Sequence, residues 1–212
     1  MQASPTNESG RLFSSPVLEA LTRTHIAFPL VIFYGTSVLS MVLVLGAYGI
    51  ALKAALGLFF VGLVFFTLVE YTVHRYFYHM STADPGRARI QYMFHGVHHE
   101  FPRDKKRLAL PPAMSIVVAS AFMGLFWLLL GVAGFAFGSG FLTGYATYLM
   151  IHYAIHVHPP PKNFLGAVWK HHNLHHFVGD TAAFGVSSPL WDHIFGTMPP
   201  DPLERRAGRA KA

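Results

Sequence analysis

Cysteine is absent from this sequence, and charged residues are scarce. Of its 212 residues, 52% are hydrophobic and only 12% are charged, whereas soluble proteins average about 25% charged residues. Without cysteine, the chain cannot form a disulfide-stapled scaffold, a thiolate-bound haem or iron–sulfur cluster, or a Cys-type zinc finger. A bound metal must therefore be held by imidazole and carboxylate groups. With so few charges, a soluble globule of this size could not cover its own surface.

Four long apolar runs are present instead. A helix needs about 20 apolar residues to cross a bilayer core of roughly 30 Å, so the sequence predicts four transmembrane helices. Helices buried in a large soluble core are the alternative, but four such runs in 212 residues leave little chain to cover them. The predicted spans are Ile26–Leu45, Ala54–Tyr78, Ala113–Val132 and Phe141–Val157.

The net charge of +6 is distributed unevenly around these runs. Basic residues precede the first run, fill the connection between the second and third, and follow the fourth, whereas the other two connections contain only Lys53. The positive-inside rule then places both termini and the middle connection in the cytoplasm. The membrane topology therefore accounts for the net charge of +6, and we expect no nucleic-acid partner. We divide the chain into a cytoplasmic lead-in (1–25) that could form an amphipathic helix, a membrane domain with its cap (26–197) and a basic tail (198–212).

Histidine is unusually abundant, with 14 residues. On an ideal helix the members of three clusters lie within an arc of about 100°. The members of the remaining cluster, His74 and His79, are about 140° apart, so a shared centre requires a frayed helix end or a π-turn. We expect the other four, which are His25, His158, His171 and His193, to be ordinary polar residues. The clusters are His74 and His79; His95, His98 and His99; His152 and His156; and His172, His175 and His176.

All four clusters are predicted on the cytoplasmic side, which favours a metal site there. Ten imidazoles packed together repel one another once they are protonated, so metal binding is favoured over a pH sensor. Ten neutral nitrogens suit two divalent ions with about five ligands each, whereas zinc usually takes three or four. Redox-active iron is therefore favoured, and two structural zinc ions are the alternative. The predicted fold is all-α: four transmembrane helices with a cytoplasmic, histidine-rich helical cap that holds a dimetal site.

The residues around the histidines resemble the integral-membrane fatty acid hydroxylase superfamily, and within it the fatty acid 2-hydroxylases. The resemblance runs from about Phe65 to Thr197. Its flanking motifs point to the 2-hydroxylase branch and away from the sterol and carotenoid oxidases, which share the histidine triplets. The matching segments are Glu70–His79 (EYTVHRYFYH), His95–Asp104 (HGVHHEFPRD), Arg107–Pro112 (RLALPP), His152–His156, His172–His176 and Phe184–Thr197.

This resemblance implies an enzyme that uses O2 and a di-iron centre, bound by the ten clustered histidines, to hydroxylate the carbon next to an acyl carbonyl. The implied substrate is a fatty acyl chain, free or lipid-linked as in ceramide, and purified protein could hold zinc instead of iron. Two electrons would come from a cytochrome b5 or ferredoxin-type donor, because the sequence has no cofactor motif of its own. Some family members carry a fused cytochrome b5 domain, and we expect none in the roughly 25 residues before the first run.

Three further residues are candidates for positioning the ligands or the substrate. Glu70 is an intramembrane carboxylate one turn before His74, and we expect it to orient that imidazole, with a helix-packing hydrogen bond as the alternative. Tyr148 and Asp192 are the other two. Tyr148 is followed by Leu149, where the family usually has aspartate, a departure that could shift the preferred head group of the substrate.

Location and rival functions follow from the same observations. We expect a multi-pass protein of the bacterial cytoplasmic membrane or the eukaryotic endoplasmic reticulum, with its active site on the cytoplasmic face. A sterol or carotenoid oxidase is the rival enzyme, and a non-catalytic zinc-binding membrane protein is the rival of another class. A metal carrier is disfavoured, because it should place its ligands near the bilayer midplane.

Overall fold

The computed structural model describes residues 9–199, and within that range the chain forms helices and loops with no strand. The all-α prediction is confirmed. The predicted domain division remains a prediction, and most of its basic tail lies outside the described residues. The helices are α1 Pro16–Leu21, α2 Ala27–Gly46, α3 Leu52–Val73, α4 Pro85–Gln91, α5 Val97–Glu100, α6 Pro112–Leu130, α7 Ala133–Val157, α8 Gly166–Phe177 and α9 Leu190–Phe195, with π-helical turns at His74–Tyr78 and Tyr92–Gly96.

Three helical stretches in the described part of the chain are long and apolar enough to cross a membrane: Ala27–Gly46, Leu52–Tyr78 and Pro112–Leu130. They correspond to the first three predicted spans. Their outward side chains are apolar and exposed, as at Val31 (71%) and Leu128 (74%), which suits contact with lipid. The fourth predicted span lies within α7, which is long enough but less apolar than these three, so this span remains a prediction.

Helix α7 is the central helix of the bundle, and its position accounts for its composition. It packs against α2, α3 and α6, so much of its surface contacts protein and need not be apolar. A Cβ atom on Gly140 would lie 1.8 Å from the carbonyl oxygen of Phe59, and one on Gly134 would lie 2.1 Å from that of Phe126. The glycines allow the backbones to approach closely, as small residues at i and i+4 do in membrane helix pairs.

The histidine-bearing elements meet at one end of this bundle. Helix α3 continues directly into the π-helical turn His74–Tyr78, which ends beside His79. Of the two alternatives for bringing His74 and His79 together, the structure therefore has the π-turn. A second π-helical turn precedes α5, and the C-terminal half of α7 and helix α8 supply the remaining histidines.

Candidate metal centre and its cavities

The ten clustered histidines converge into two groups of five. In each group, one ring nitrogen from every member lies within 4.8 Å of the others. The four histidines expected to be ordinary belong to neither group. Group one contains His74, His79, His95, His99 and His175, and group two contains His98, His152, His156, His172 and His176.

The spacing of the nitrogens fits a metal ion. Six Nε2–Nε2 contacts of 2.9 to 3.1 Å join pairs of these histidines, three in each group. Two nitrogens bound at right angles to one ion, each about 2.1 Å from it, lie about 3.0 Å apart. The groups adjoin each other, because the ring of His99 stacks on that of His176 with 4.1 Å between centroids. Each group could therefore hold one ion, and the two ions would be neighbours.

Burial keeps these imidazoles neutral. It lowers the pKa of His79 to about 4 and that of His99 to about 2, with nearby histidines adding to the effect. Burial likewise lowers the pKa of His95, His98, His172 and His176 well below its ordinary value. A neutral imidazole has a free lone pair, which metal binding requires.

A short loop between α8 and α9 orients two ligands of group one. His74 Nδ1 donates to the carbonyl oxygen of Phe184 at 2.5 Å, and His175 Nδ1 donates to that of Ala182 at 2.8 Å. Because a carbonyl only accepts, the proton is on Nδ1 and the Nε2 lone pair is free for a metal. Ala183, between the two carbonyls, has a φ of +59°. A non-glycine residue in this conformation costs about 1–2 kcal/mol, and here it lies beside the proposed ligands.

Asp192 holds this loop in place. Its fully buried carboxylate accepts hydrogen bonds from the amides of Phe184 and Gly185 at 2.9 and 2.8 Å, and from Thr197 Oγ1 at 2.7 Å. His171 Nε2 lies 3.0 Å from it. Burial opposes ionisation, but the hydrogen bonds from His171, Thr197 and the two amides outweigh it and keep the pKa of Asp192 below its usual range. Within residues 9–199, Asp192 thus forms no hydrogen bond with a member of either group.

Glu70 supports the same loop from α3. Its carboxylate accepts hydrogen bonds from the amides of Val186 and Ser187 at 2.7 and 2.8 Å, and from the Ser187 hydroxyl. Among the described residues it forms no hydrogen bond with His74, whose Nδ1 partner is Phe184. Any orientation of His74 by Glu70 would therefore be indirect, through the loop that carries Phe184, Val186 and Ser187, and it remains a prediction.

Two cavities open onto the histidines. The first, of about 340 Å³, lies between the lead-in, the middle loop and α7 and reaches His95, His98 and His152. The second, of about 180 Å³, lies between α3, α6 and α7 and reaches His74. Together they contact both groups of five. The residues that line both cavities are Tyr78, Tyr145 and Tyr148.

These tyrosines lie where the two cavities adjoin, beside the histidines that both cavities reach. The ring of Tyr148 stacks on that of His152, with 5.7 Å between centroids and 9° between planes. Sequence reasoning selected Tyr148 but missed Tyr78 and Tyr145 as lining residues. The spacing of Tyr145, Tyr148 and His152 at i, i+3 and i+7 on one helix was the available signal.

The first cavity contains one cation, and that cation is already paired. Arg107 lies between the cavity and the lead-in. Its guanidinium contacts the carboxylate of Glu19, lies 3.4 Å from that of Asp104, and donates to the Gly10 carbonyl at 2.8 Å. With the histidines neutral, the described lining offers no free positive charge to a ligand.

Comparison with known proteins gives concordant matches. Residues 59–197 match the family model described as fatty acid hydroxylase. A ceramide very long chain fatty acid hydroxylase of Schizosaccharomyces pombe is 37% identical over 159 residues, which are 72% of this chain and 45% of that protein. A dihydroceramide fatty acyl 2-hydroxylase of Arabidopsis thaliana is 32% identical and covers 91% of this chain and 81% of its own length.

A solved structure also matches. It is titled full-length scs7p with only the hydroxylase domain visible, and it superposes with a TM-score of 0.82 at 32% identity. The match covers 91% of this chain and 73% of that one. The chain spans less than half the length of the first relatives that it matches.

Proposed function

Because this chain belongs to the fatty acid hydroxylase family, we propose that it is an oxygen-dependent membrane hydroxylase that acts on the carbon next to an acyl carbonyl. The observation that carries the proposal is the pair of five-histidine groups reached by two largely apolar cavities. The names of the relatives, a ceramide hydroxylase and a dihydroceramide fatty acyl 2-hydroxylase, support the same reaction.

Two iron ions, one in each group, would supply the activation of O2. In the balanced reaction one oxygen atom enters the substrate C–H bond to give C–OH, and the other leaves as water. Two electrons and two protons come from outside the substrate. The ten neutral imidazoles would bind the metals, and the carbonyls of Ala182 and Phe184 would hold two of these imidazoles in register. The tyrosines that line both cavities would keep water away from the reacting carbon.

The cavity lining supports a neutral acyl lipid as the substrate. A free carboxylate buried in the first cavity would need a cation, and Arg107 is already held by Glu19 and Asp104. An amide- or ester-linked chain carries no such charge. Leu149, where the family usually has aspartate, adds an apolar wall to this cavity. In this arrangement the head group lies in the first cavity and the acyl chain extends into the second.

The topology follows from the charge distribution of the sequence. The histidine end of the bundle would face the cytoplasm of a bacterium, or the cytoplasmic side of the endoplasmic reticulum in a eukaryote. Helix α7 would be the fourth span, shielded from lipid by its neighbours. The electron donor would be a separate protein of the cytochrome b5 or ferredoxin type.

Expression in a host that lacks 2-hydroxy fatty acids tests the activity. We expect new 2-hydroxyacyl lipids by mass spectrometry of the total lipids, each one oxygen atom heavier than a host lipid and labelled when cells are grown under 18O2. Failure to form any 2-hydroxyacyl species, despite bound iron and a competent reductase, would contradict the proposal. It would then favour a metal centre that only stabilises the fold. Hydroxylation of a sterol or carotenoid would point to the rival enzyme.

The second cavity should determine which acyl chains fit. Val118 lines it, so a Val118→Trp substitution fills part of its roughly 180 Å³. Because overfilling a packed site costs about 1–3 kcal/mol, we expect products from the longest acyl chains to fall about tenfold relative to the shortest. The control is Val117→Trp, since Val117 is 59% exposed on the outer face of the same helix. Chain-length profiles that shift equally in both variants would show that the chain lies elsewhere.

A further inference from the structure

A third cavity reaches group two at His156, a residue that lines neither of the substrate cavities. It is a groove of about 690 Å³ formed by the segment that follows α5, the C-terminal end of α7 and one face of α8. We call it the basic groove. Its lining includes Arg103, Lys105, His156, Asn173, Trp169 and Phe177.

The charge of this groove has one sign. Arg103 and Lys105 are both exposed, and among the described residues no carboxylate lines the groove. Neither cation forms an ion pair within residues 9–199. This distinguishes both cations from Arg107, which is buried between two carboxylates. Unpaired surface cations beside a cleft attract an oppositely charged partner and raise its rate of association.

The groove also reaches the metal centre directly. His156 lines it, and the Nε2 atom of this residue lies 3.0 Å from that of His172 within group two. The first two cavities reach the histidines through largely apolar walls and suit an acyl chain. The basic groove is the route that begins at exposed polar and charged residues.

Aromatic side chains at the groove suit a protein partner. Phe177 is 60% exposed, and Trp169 is half-buried, with its Nε1 donating to the carbonyl oxygen of His158 at 3.1 Å. Aromatic and arginine side chains are enriched where proteins bind one another, and they contribute a large share of the binding energy there. The groove thus combines cations that would steer a partner with aromatic rings that would hold it.

We propose that the basic groove is the docking site of an acidic protein that carries one electron at a time. The inference rests on the proposed function, which needs two electrons for each hydroxylation. Two reduced carriers would dock in turn, each losing one electron and leaving oxidised, while the two protons come from water. His156 would be the ligand nearest to the docked carrier, so the electron would enter through group two.

Charge reversal tests the docking site. The variant is Arg103→Glu/Lys105→Glu, and the control is Arg87→Glu/Arg89→Glu, which reverses two exposed charges on α4. The probes are a soluble cytochrome b5 domain and a ferredoxin. Binding of each is measured on purified protein in neutral lipid nanodiscs at low and high salt. We expect the groove variant to bind about tenfold or more weakly and to lose its salt dependence, and the control to stay within about twofold of wild type.

A single turnover separates docking from catalysis. Protein reduced photochemically without oxygen and then mixed with O2 needs no carrier, so the groove variant should give as much product as wild type. With the carrier as reductant, its product should fall in parallel with binding. Absence of product in both arms, even in wild type, would contradict the proposed function while the binding data still report on the groove.

Four results would overturn the docking proposal. One is wild-type protein that binds neither carrier, and another is a groove variant that binds as tightly as wild type. The third is a groove variant that loses carrier-driven product in anionic nanodiscs but not in neutral ones, because Arg103 and Lys105 would then contact lipid head groups. The fourth is an equal loss of product by the groove variant in the photochemical arm, because the groove residues would then support the fold of the metal centre and not the docking of a carrier.

Discussion

Replacing His175 with alanine is expected to abolish hydroxylation and to lower the bound metal from about two ions per chain to about one. His175 is fully buried at the centre of group one, with its Nε2 atom 3.0 Å from that of His79. Its ring also packs within 5 Å of the rings of His74 and His99. A methyl group cannot bind a metal, and the other four ligands would lose the member around which they are arranged.

Metal content and product are measured on the same preparation for this prediction. Inductively coupled plasma mass spectrometry gives iron and zinc per chain, and lipid mass spectrometry gives the product. The control is His193→Ala, because His193 is exposed on α9 and belongs to neither group. It should leave both readouts unchanged. Equal metal loss in the two variants would show that the proposed ligand set is wrong.

Replacing Asp192 with alanine is expected to remove about 3–5 kcal/mol from the free energy of unfolding, as when one partner of a buried pair is deleted. The amides of Phe184 and Gly185 would lose their acceptor in the interior. The loop would then release the carbonyls of Ala182 and Phe184 from the two histidines. Loss of such supporting contacts typically lowers metal affinity 10–100-fold.

Two further variants separate this positioning role from a general loss of stability. Asp192→Asn keeps one carbonyl acceptor, so it should recover part of the metal affinity. Asp84→Ala removes an exposed carboxylate that caps α4 through the amide of Arg87, and it should cost about 1 kcal/mol without loss of metal. Thermal unfolding and metal titration of all three variants give the comparison. Normal metal affinity in a destabilised Asp192→Ala protein would restrict Asp192 to the fold.

Local spacing accounts for much of how the histidines divide between the two groups. Among the ten clustered histidines, every pair separated by four residues lies in one group: His95 with His99, His152 with His156, and His172 with His176. Residues at i and i+4 are only about 40° apart around a helix, so they face one centre. Adjacent histidines point about 100° apart, and accordingly His98 and His175 join the group opposite to their neighbours His99 and His176.

The supporting loop was beyond the reach of such reasoning. The hydrogen-bond acceptors of His74 and His175 are backbone carbonyls, and every residue has one, so no side-chain pattern marks them. Their direction depends on the positive φ of Ala183 and on Asp192, which lies about ten residues further along the chain. For the same reason Glu70 was recognised as an unusual intramembrane carboxylate, but its partners Val186 and Ser187 were not.

Composition and local spacing were enough to identify the helical class, three membrane-compatible helices, the lack of thiolate ligands and the ten clustered histidines. These features depend on composition and on contacts between residues close in the chain, which helix geometry fixes. The folded structure was needed to see how the clusters combine into two groups of five, which loop holds them, and where the three cavities open. Those features depend on how α3, α5, α7 and α8 meet in space, which is set by long-range packing between side chains far apart in the sequence.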